Sequence, residues 1–178
     1  GQVQTNKARS VARYADVAEV VARAQAAQRE WAAKGAEERA AIMRRAADVF
    51  AAHREELVEF IMRETGGVRP KGEMEVQNTI EELQHSPAIL VHPEGHILPS
   101  RNPERLSLAR RVPLGIVGVI TPWNVPMLLA MRSVAPALAL GNAVILKPDV
   151  QTAIVGGVAL ARALEEAGIP AGVFNVVN

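Results

Sequence analysis

Two short polar clusters each follow an apolar run in the second half of the chain. The cluster Thr-Pro-Trp-Asn at 121–124 follows the run 114–120, and the cluster Lys-Pro-Asp at 147–149 follows the run 143–146. An Asn amide can stabilise negative charge that develops on a carbonyl oxygen in a dry pocket. A Lys amine at a strand end can contact a ribose or a phosphate. These residue types therefore indicate a ligand-binding edge.

Each of these residues also has a structural interpretation. Asn124 could be the N-cap of the helix that follows, since Asn fills that position routinely and proline suits the next turn. Lys147 could be a solvated surface lysine, although it lies in the least charged part of the chain. The pair Gly156-Gly157 could permit close packing on a sheet or close approach to a nucleotide.

Alternating strands and helices are predicted to position the two clusters. The predicted elements are a buried strand at 114–120, a helix from about Pro126 to about Leu140, a strand at 143–146, a helix from about Gln151 to Ala167, and a strand at 173–177. Apolar strands that alternate with helices favour a parallel, doubly wound sheet in an α/β protein. Ligands of such sheets lie beyond the carboxyl ends of the strands, where both clusters fall.

The first part of the chain predicts surface helices. Only six of the charged residues lie within 112–178, so residues 1–111 carry most of the charge. The first predicted helix has its cap at Asp16 and ends near Gly35, and the second runs from Glu37 past Phe50. The third spans about 54–65 before Gly66-Gly67, and the fourth runs from Pro70 to about Ser86.

Between about 87 and 112, prolines separate short apolar pieces. The pieces 88–91 and 106–112 predict a two-stranded excursion, with His92 and His96 in its loop. Because a lone pair of strands is only marginally stable, we expect this arm to rest on another element or subunit. Two histidines without a thiol nearby do not predict a metal site.

Composition excludes several classes of function. The chain has 178 residues, a formal charge of +1 and no cysteine. One domain or a domain with an appendage fits this length. No basic run indicates nucleic-acid binding, no apolar stretch reaches the length of a membrane span, and the polar start predicts a cytoplasmic protein. Disulfides and a thiol nucleophile from these residues are excluded. No G-x-G-x-x-G motif or P-loop is present.

The second half nevertheless resembles the aldehyde dehydrogenase superfamily. The resemblance is carried by P-W-N-x-P at 122–126, A-P-A-L-A-x-G-N at 135–142 and L-K-P at 146–148, with support from Trp31, Glu38-Arg39 and 64–66. The K-P-D-x-x-T-A form is most similar to the benzaldehyde and vanillin dehydrogenase branch. The match begins near residue 15 and covers roughly the first third of the family's usual length.

The resemblance implies an incomplete aldehyde dehydrogenase fold with three parts. These are an N-terminal helical part of the cofactor-binding domain at 1–87, a β-hairpin arm for oligomerisation at 88–112, and the first βαβαβ unit of the Rossmann-like dinucleotide-binding domain at 113–178. It also implies a homo-oligomer, a dimer or tetramer, held together by the arm. The implied partners are a small aldehyde and NAD or NADP, with neither nucleic acid nor membrane.

The resemblance also assigns roles to individual residues. The family mechanism is attack of a thiolate on the aldehyde, hydride transfer to NAD(P), and hydrolysis of the thioester by water that a glutamate activates. By motif, Asn124 is the catalytic oxyanion donor. The implied cofactor-binding residues are Ile120, Thr121, Pro122, Trp123, Lys147, Asp149 and Val150. The implied substrate-lining residues are Val125, Leu129 and Arg132.

This sequence departs from the family pattern in two ways. It contains neither the cysteine nor the glycine-rich phosphate loop and glutamate of the family, and Glu165 and Glu166 match no motif. The 178 residues alone are therefore predicted to be inactive, and a non-catalytic dinucleotide-binding or oligomerisation module is the alternative. In addition, Val150 stands where many NAD-preferring relatives have a glutamate, which predicts acceptance of NADP.

Two further expectations concern the assembled molecule. The Asn124 amide and the Lys147 amine are predicted to lie side by side and to face a shared cavity. The three strands of an incomplete sheet leave an unpaired edge, so the chain alone is expected to self-associate or to be unstable.

Overall fold

The computed structural model describes residues 14–178, with side-chain exposure from residue 16 onward. The first part is helical and ends in a 3-10 turn at Ser86–Val91. Its helices are α1 Tyr14–Ala33, α2 Ala36–Ala52, α3 Arg54–Thr65 and α4 Arg69–His85. The N-terminal helices expected from the sequence are therefore confirmed.

Local sequence signals explain most of the helix ends. Gly66 ends α3 in the left-handed conformation with φ 69°, where it donates its N–H to the Met62 carbonyl. Pro70 lies in the first turn of α4, where its missing N–H is tolerated. The predicted cap at Asp16 is wrong, because α1 begins at Tyr14 and Asp16 lies in its first turn.

The hairpin is displaced from its predicted position. Strands β1 Gly95–Leu98 and β2 Ser107–Arg110 pair antiparallel, with His96 opposite Ala109. The segment 88–91, expected as a strand, belongs instead to the 3-10 turn, because Pro87 near its start favours a helical φ. The placement of His96 in the loop is therefore wrong as well.

The second half contains the expected parallel sheet. Strands β3 Ile116–Ile120, β4 Ala143–Lys147 and β5 Phe174–Val176 lie in that order, with β4 in the centre. Helix α5 Pro126–Ala139 connects β3 to β4, and α6 Ala159–Glu166 precedes β5. The predicted α/β architecture is confirmed.

Two local predictions in this half are corrected. The buried strand predicted at 114–120 begins at Ile116 and is only partly buried, since β3 is an edge strand and Ile120 is 85% exposed. The continuous helix predicted from Gln151 is interrupted: a 3-10 turn at Val150–Thr152 and a π turn at Ile154–Val158 precede α6.

The glycine pair in the π turn is explained by packing. A Cβ on Gly157 would come within 2.9 Å of both Pro148 Cγ and Val176 Cγ1, and one on Gly156 within 3.0 Å of Pro126 Cβ. Real Cβ atoms essentially never approach as closely as at Gly157, so that position requires glycine as the backbone is placed, whereas at Gly156 a Cβ would fit only if Pro126 shifted by a few tenths of an ångström. This favours the close-packing interpretation of the pair over nucleotide approach.

Helices cover both faces of the sheet. Ala24 of α1 packs with Ala143 and Ile145 of β4, whereas Val144 and Leu146 belong to the larger core. Because successive strand residues point to opposite faces, α1 covers one face and the helices that follow β3 and β4 cover the other. The largest fully buried side chains of the core include Trp31, Phe50, Met43, Met127, Met131 and Leu160.

Candidate functional site

The carboxyl ends of β3 and β4 lie next to each other. Ile120 is paired with Lys147 in the parallel register, and the Thr121 N–H donates to the Lys147 carbonyl at 3.2 Å. The structure thus brings the clusters 121–124 and 147–149 to the same edge of the sheet. This is the edge where open α/β sheets bind ligands.

Asn124 is free to meet a ligand. The N-cap residue of α5 is Val125, and no side chain of the turn caps the helix. Asn124 is exposed, and its amide has no hydrogen-bond partner among residues 14–178. The N-cap interpretation of Asn124 is therefore wrong, and its amide remains available as a donor.

A buried ion pair holds the start of α5. The Met127 N–H donates to Glu75 Oε1 at 2.8 Å, and Lys71 Nζ lies 2.6 Å from the other carboxylate oxygen. Glu75 is fully buried. Sequence reasoning missed both residues; the available signal was an i,i+4 Lys–Glu pair adjoining the apolar stripe of α4.

The far end of α5 is fixed by side chains from three other segments. Trp31 Nε1 donates to the Leu138 carbonyl at 2.9 Å, Arg39 Nε to the Ala139 carbonyl at 2.9 Å, and Asn142 Nδ2 to the Ala137 carbonyl at 3.0 Å. These bonds satisfy the last carbonyls of the helix. Burial lowers the pKa of Arg39, and Glu94 partly opposes that effect.

Lys147 and its neighbours form the second half of the site. Lys147 is half-buried and donates from Nζ to the Pro148 carbonyl at 2.7 Å, which leaves two ammonium donors for a ligand. The Asp149 carboxylate accepts from the Gln151 N–H at 2.8 Å and so caps the 3-10 turn. Val150 is 57% exposed beside them.

The surroundings of the site fit a nucleotide cofactor. Ile120 and Trp123 expose apolar surface, at 85% and 51% of their full area, while Pro122 is exposed between the strand end and Trp123. The hydroxyls of Thr121 and Thr152 are buried without a hydrogen-bond partner among the described residues. Apolar surface next to a lysine amine and an unsatisfied hydroxyl suits a flat ring joined to a ribose.

The three residues with an implied substrate role lie on the accessible side of α5. Val125 and Leu129 are half-buried, and Arg132 is exposed. Arg132 Nε lies 3.5 Å from Glu82 Oε1 of α4. Their i, i+4 and i+7 spacing places them along one face.

A second carboxylate supports the segment that follows Lys147. Glu64, at the end of α3, accepts the Val155 N–H at 2.6 Å and the Ile154 N–H at 3.2 Å. It thereby joins α3 to the π turn. Sequence reasoning quoted Glu64 as part of a family motif but gave it no role.

Two clefts of the structure lie away from these clusters. One of about 400 Å³ lies beside β5 and α6 and includes Arg23, Glu165 and Asn175. Another of about 230 Å³ lies between α3 and α6 and includes His53, Phe60 and Glu166. Neither contains Asn124 or Lys147, so the predicted shared cavity is not among them. Asn124 and Lys147 do not share one of these clefts because β3 is an edge strand, so no further strand encloses this side of the site in the described part of the chain.

Residues 14–178 contain neither a metal-binding cluster nor a membrane-spanning helix. No group of three or more His, Asp or Glu side chains in this range is placed to hold a metal ion. None of the helices in the same range combines the length and the apolar character that crossing a membrane requires.

Comparison with known proteins gives consistent matches. The model of the "Aldehyde dehydrogenase family" matches residues 4–178. The vanillin dehydrogenase of an Amycolatopsis species is 53% identical, and the match covers 91% of this chain and 33% of that protein. The NAD(+) benzaldehyde dehydrogenase of Pseudomonas putida is 49% identical, and the match covers 94% of this chain and 34% of that protein. The crystal structure of an NAD-dependent benzaldehyde dehydrogenase from Corynebacterium glutamicum superposes with TM-score 0.89 at 47% identity, covering 92% of this chain and 36% of that one. The chain spans about a third of the length of these relatives.

Proposed function

Because this chain belongs to the aldehyde dehydrogenase family, we propose that it forms part of an NAD(P)-dependent enzyme that oxidises an aromatic aldehyde to the carboxylic acid. The observation that carries this proposal is the free amide of Asn124 in the turn that follows β3, the strand whose last residue is paired with Lys147. An amide placed at a strand end without an internal partner can donate to a developing oxyanion. The named relatives that act on vanillin and benzaldehyde support the aromatic substrate class.

The residues around Lys147 are proposed to bind the cofactor. When bound, NAD(P) supplies the acceptor for the hydride of the aldehyde carbon. Lys147 would hold the ribose through its two remaining ammonium donors, while Ile120, Thr121, Pro122 and Trp123 would line the nicotinamide side. Asp149 would act through the turn that it caps. Val150 would leave space for either a ribose hydroxyl or a 2′-phosphate.

The remaining chemistry has to come from outside these residues. The chain contains no cysteine, so the thiolate that attacks the aldehyde in the family mechanism belongs to another part of the protein. Within the chain, Asn124 would stabilise the oxygen of the tetrahedral intermediate that leads to the thioester. Val125, Leu129 and Arg132 would face the aldehyde along one side of α5.

The hairpin is proposed to join copies of the protein. Ile97 is paired with Leu108, and both side chains are mostly exposed, at 74% and 63%. Paired residues share a face of a hairpin, so together they form an apolar strip that a second copy could cover. In a protein of full family length, replacing Leu108 by Asp should lower the mass of the assembly measured by sedimentation. The change Ala109→Asp on the opposite face of the hairpin should leave that mass unchanged. An unchanged mass for Leu108→Asp contradicts this role of the arm.

The substitution Asn124→Ala tests the catalytic proposal. In a protein that carries this chain within the full length of the family, kcat for benzaldehyde should fall by on the order of 10²-fold, because one oxyanion donor is lost. The matched control is Asn78→Ala on α4, whose amide donates to Met74 Sδ at 3.1 Å and which should retain kcat. A near-wild-type kcat for Asn124→Ala removes the oxyanion role.

A second experiment separates the enzyme from a non-catalytic module. Kept dilute to limit the expected self-association, the 178 residues alone should bind NAD(P) without turnover, with binding followed through the change in tryptophan fluorescence that the exposed Trp123 contributes. Addition of the remaining part of a family-length protein should restore dehydrogenase activity. If the complemented protein binds cofactor but has no activity with any aldehyde, the non-catalytic alternative is favoured.

A further inference from the structure

The first N–H donor of α5 needs a partner from outside the helix. Its N-cap residue Val125 carries no side-chain acceptor, and Pro126 at the first helical position has no N–H. Met127 is therefore the first residue of the helix with an N–H that no intrahelical carbonyl can satisfy. That N–H donates to Glu75 Oε1 at 2.8 Å.

Asn124 is the natural competitor for the same donor. If the helix began one residue earlier, Asn124 would be its N-cap, and a capping side chain accepts from the N2 or N3 residue. Pro126 would occupy N2 and has nothing to donate. The only N–H that Asn124 could then cap is that of Met127, which Glu75 already holds.

Glu75 is better placed than Asn124 to accept the Met127 N–H. It is fully buried, and its second carboxylate oxygen lies 2.6 Å from Lys71 Nζ. Since a buried carboxylate without partners is strongly unfavourable, both oxygens are committed, one to Lys71 and one to Met127. The positive end of the α5 dipole adds to the attraction.

We propose that Glu75 is a positioning residue for the reaction: it takes the Met127 N–H so that the Asn124 amide stays free for the aldehyde oxygen. This inference rests on the proposed function of Asn124. It also explains why an asparagine before a helix, in a position where capping is expected, presents its side chain to the surface instead.

The experiment uses Glu75 variants in a protein of full family length. In Glu75→Ala, Asn124 should turn to cap Met127, and a cap of ordinary strength favours the capped rotamer by about fivefold. We therefore expect kcat to fall by about fivefold with the KM for NAD unchanged. Glu75→Gln keeps a carbonyl acceptor at the same reach and should restore most of kcat. The matched control is Glu73→Ala on the same helix, whose carboxylate is half exposed and 3.9 Å from Arg69.

A crystal structure of Glu75→Ala decides the inference directly. The expected result is Asn124 Oδ1 within about 3.2 Å of the Met127 nitrogen. An Asn124 side chain that stays in its present place overturns the inference. If Glu75→Ala does not fold, Glu75→Asp serves the same purpose, because it retains the charge beside Lys71 while withdrawing the carboxylate from Met127.

The double variant with Asn124→Ala shows whether Glu75 acts through Asn124. In the Asn124→Ala background, Glu75→Ala should change kcat by less than about twofold, since no amide remains to be displaced. A further fivefold loss there would mean that Glu75 acts by another route, and the inference fails. If Asn124→Ala alone retains kcat, the proposed function fails. The crystal structure of Glu75→Ala still shows in that case whether the Asn124 side chain accepts the Met127 N–H once Glu75 is removed.

Discussion

Replacing Gly157 by Ala tests how tightly the π turn is packed on the strand end. The new Cβ would lie 2.9 Å from Pro148 Cγ and from Val176 Cγ1, well inside ordinary contact distance. Neither neighbour can move freely, because Pro148 is buried and cyclic and Val176 belongs to β5. Overpacking of this kind costs about 1–3 kcal/mol. Removing a glycine from a helical turn returns up to about 1 kcal/mol. From the middle of these ranges, the net expectation is a loss of stability of about 1–2 kcal/mol.

The same substitution should reach the cofactor site. Pro148 directly follows Lys147, whose amine donates to the Pro148 carbonyl at 2.7 Å. Displacing the proline therefore moves the amine that is proposed to hold the ribose. We expect the KM for NAD to rise by roughly 3- to 10-fold, a fraction of what complete loss of a charge-assisted hydrogen bond would cause.

Two assays measure these effects on a protein of full family length. Thermal unfolding should show a lower Tm for Gly157→Ala, and steady-state kinetics should show the higher KM with a smaller change in kcat. The control is Gly35→Ala at the start of α2, where an added Cβ has no atom within 4 Å and the KM for NAD should not change. If Gly157→Ala has the Tm and the KM of the parent protein, the π turn is not tightly packed against Pro148 and Val176.

Three further substitutions test other parts of the structure. Val150→Glu should shift the ratio of kcat/KM towards NAD over NADP by roughly 10- to 100-fold, because a carboxylate repels a 2′-phosphate; an unchanged ratio places Val150 away from the ribose. Glu64→Ala leaves two backbone N–H groups at the turn 154–158 without their acceptor, so the free energy of unfolding should fall by about 1–3 kcal/mol in urea titration, and no change would show that water replaces the carboxylate. Trp31→Phe removes the bond from the indole to the Leu138 carbonyl, which retains the Gly141 N–H at 3.0 Å, and leaves unfilled space where the fully buried indole lay; the expected loss in the same titration is therefore about 2–4 kcal/mol, and an unchanged free energy of unfolding would contradict it.

Periodicity and terminators predicted the backbone well, because they are local. The apolar runs before Thr121 and Lys147 and the glycine at 141 were enough to predict β3, α5 and β4 in the right order. The parallel pairing followed from the connecting helix. The hairpin was harder, because the apolar piece 88–91 satisfies the composition of a strand while Pro87 holds it in a helical turn.

The supporting carboxylates could not be predicted from local patterns. Glu75 and Met127 are 52 residues apart, and Glu64 and Ile154 are 90 apart. Both glutamates lie on helices where a charged residue is normally assigned to the solvated face. Only the packing of α4 against α5 and of α3 against the π turn reveals that these side chains satisfy backbone donors. For the same reason the sequence favoured Asn124 as a cap, since the rival acceptor is invisible to a local pattern.

The anchoring of α5 at both ends has a practical consequence for engineering. Glu75 fixes its first turn, and Trp31, Arg39 and Asn142 fix its last, so the helix does not depend on its outward-facing side chains for its placement. The half-buried Val125 and Leu129 can therefore be exchanged for residues of similar or smaller size in a library while these contacts hold the helix in place. Such a library would offer a route to variants with altered aldehyde selectivity.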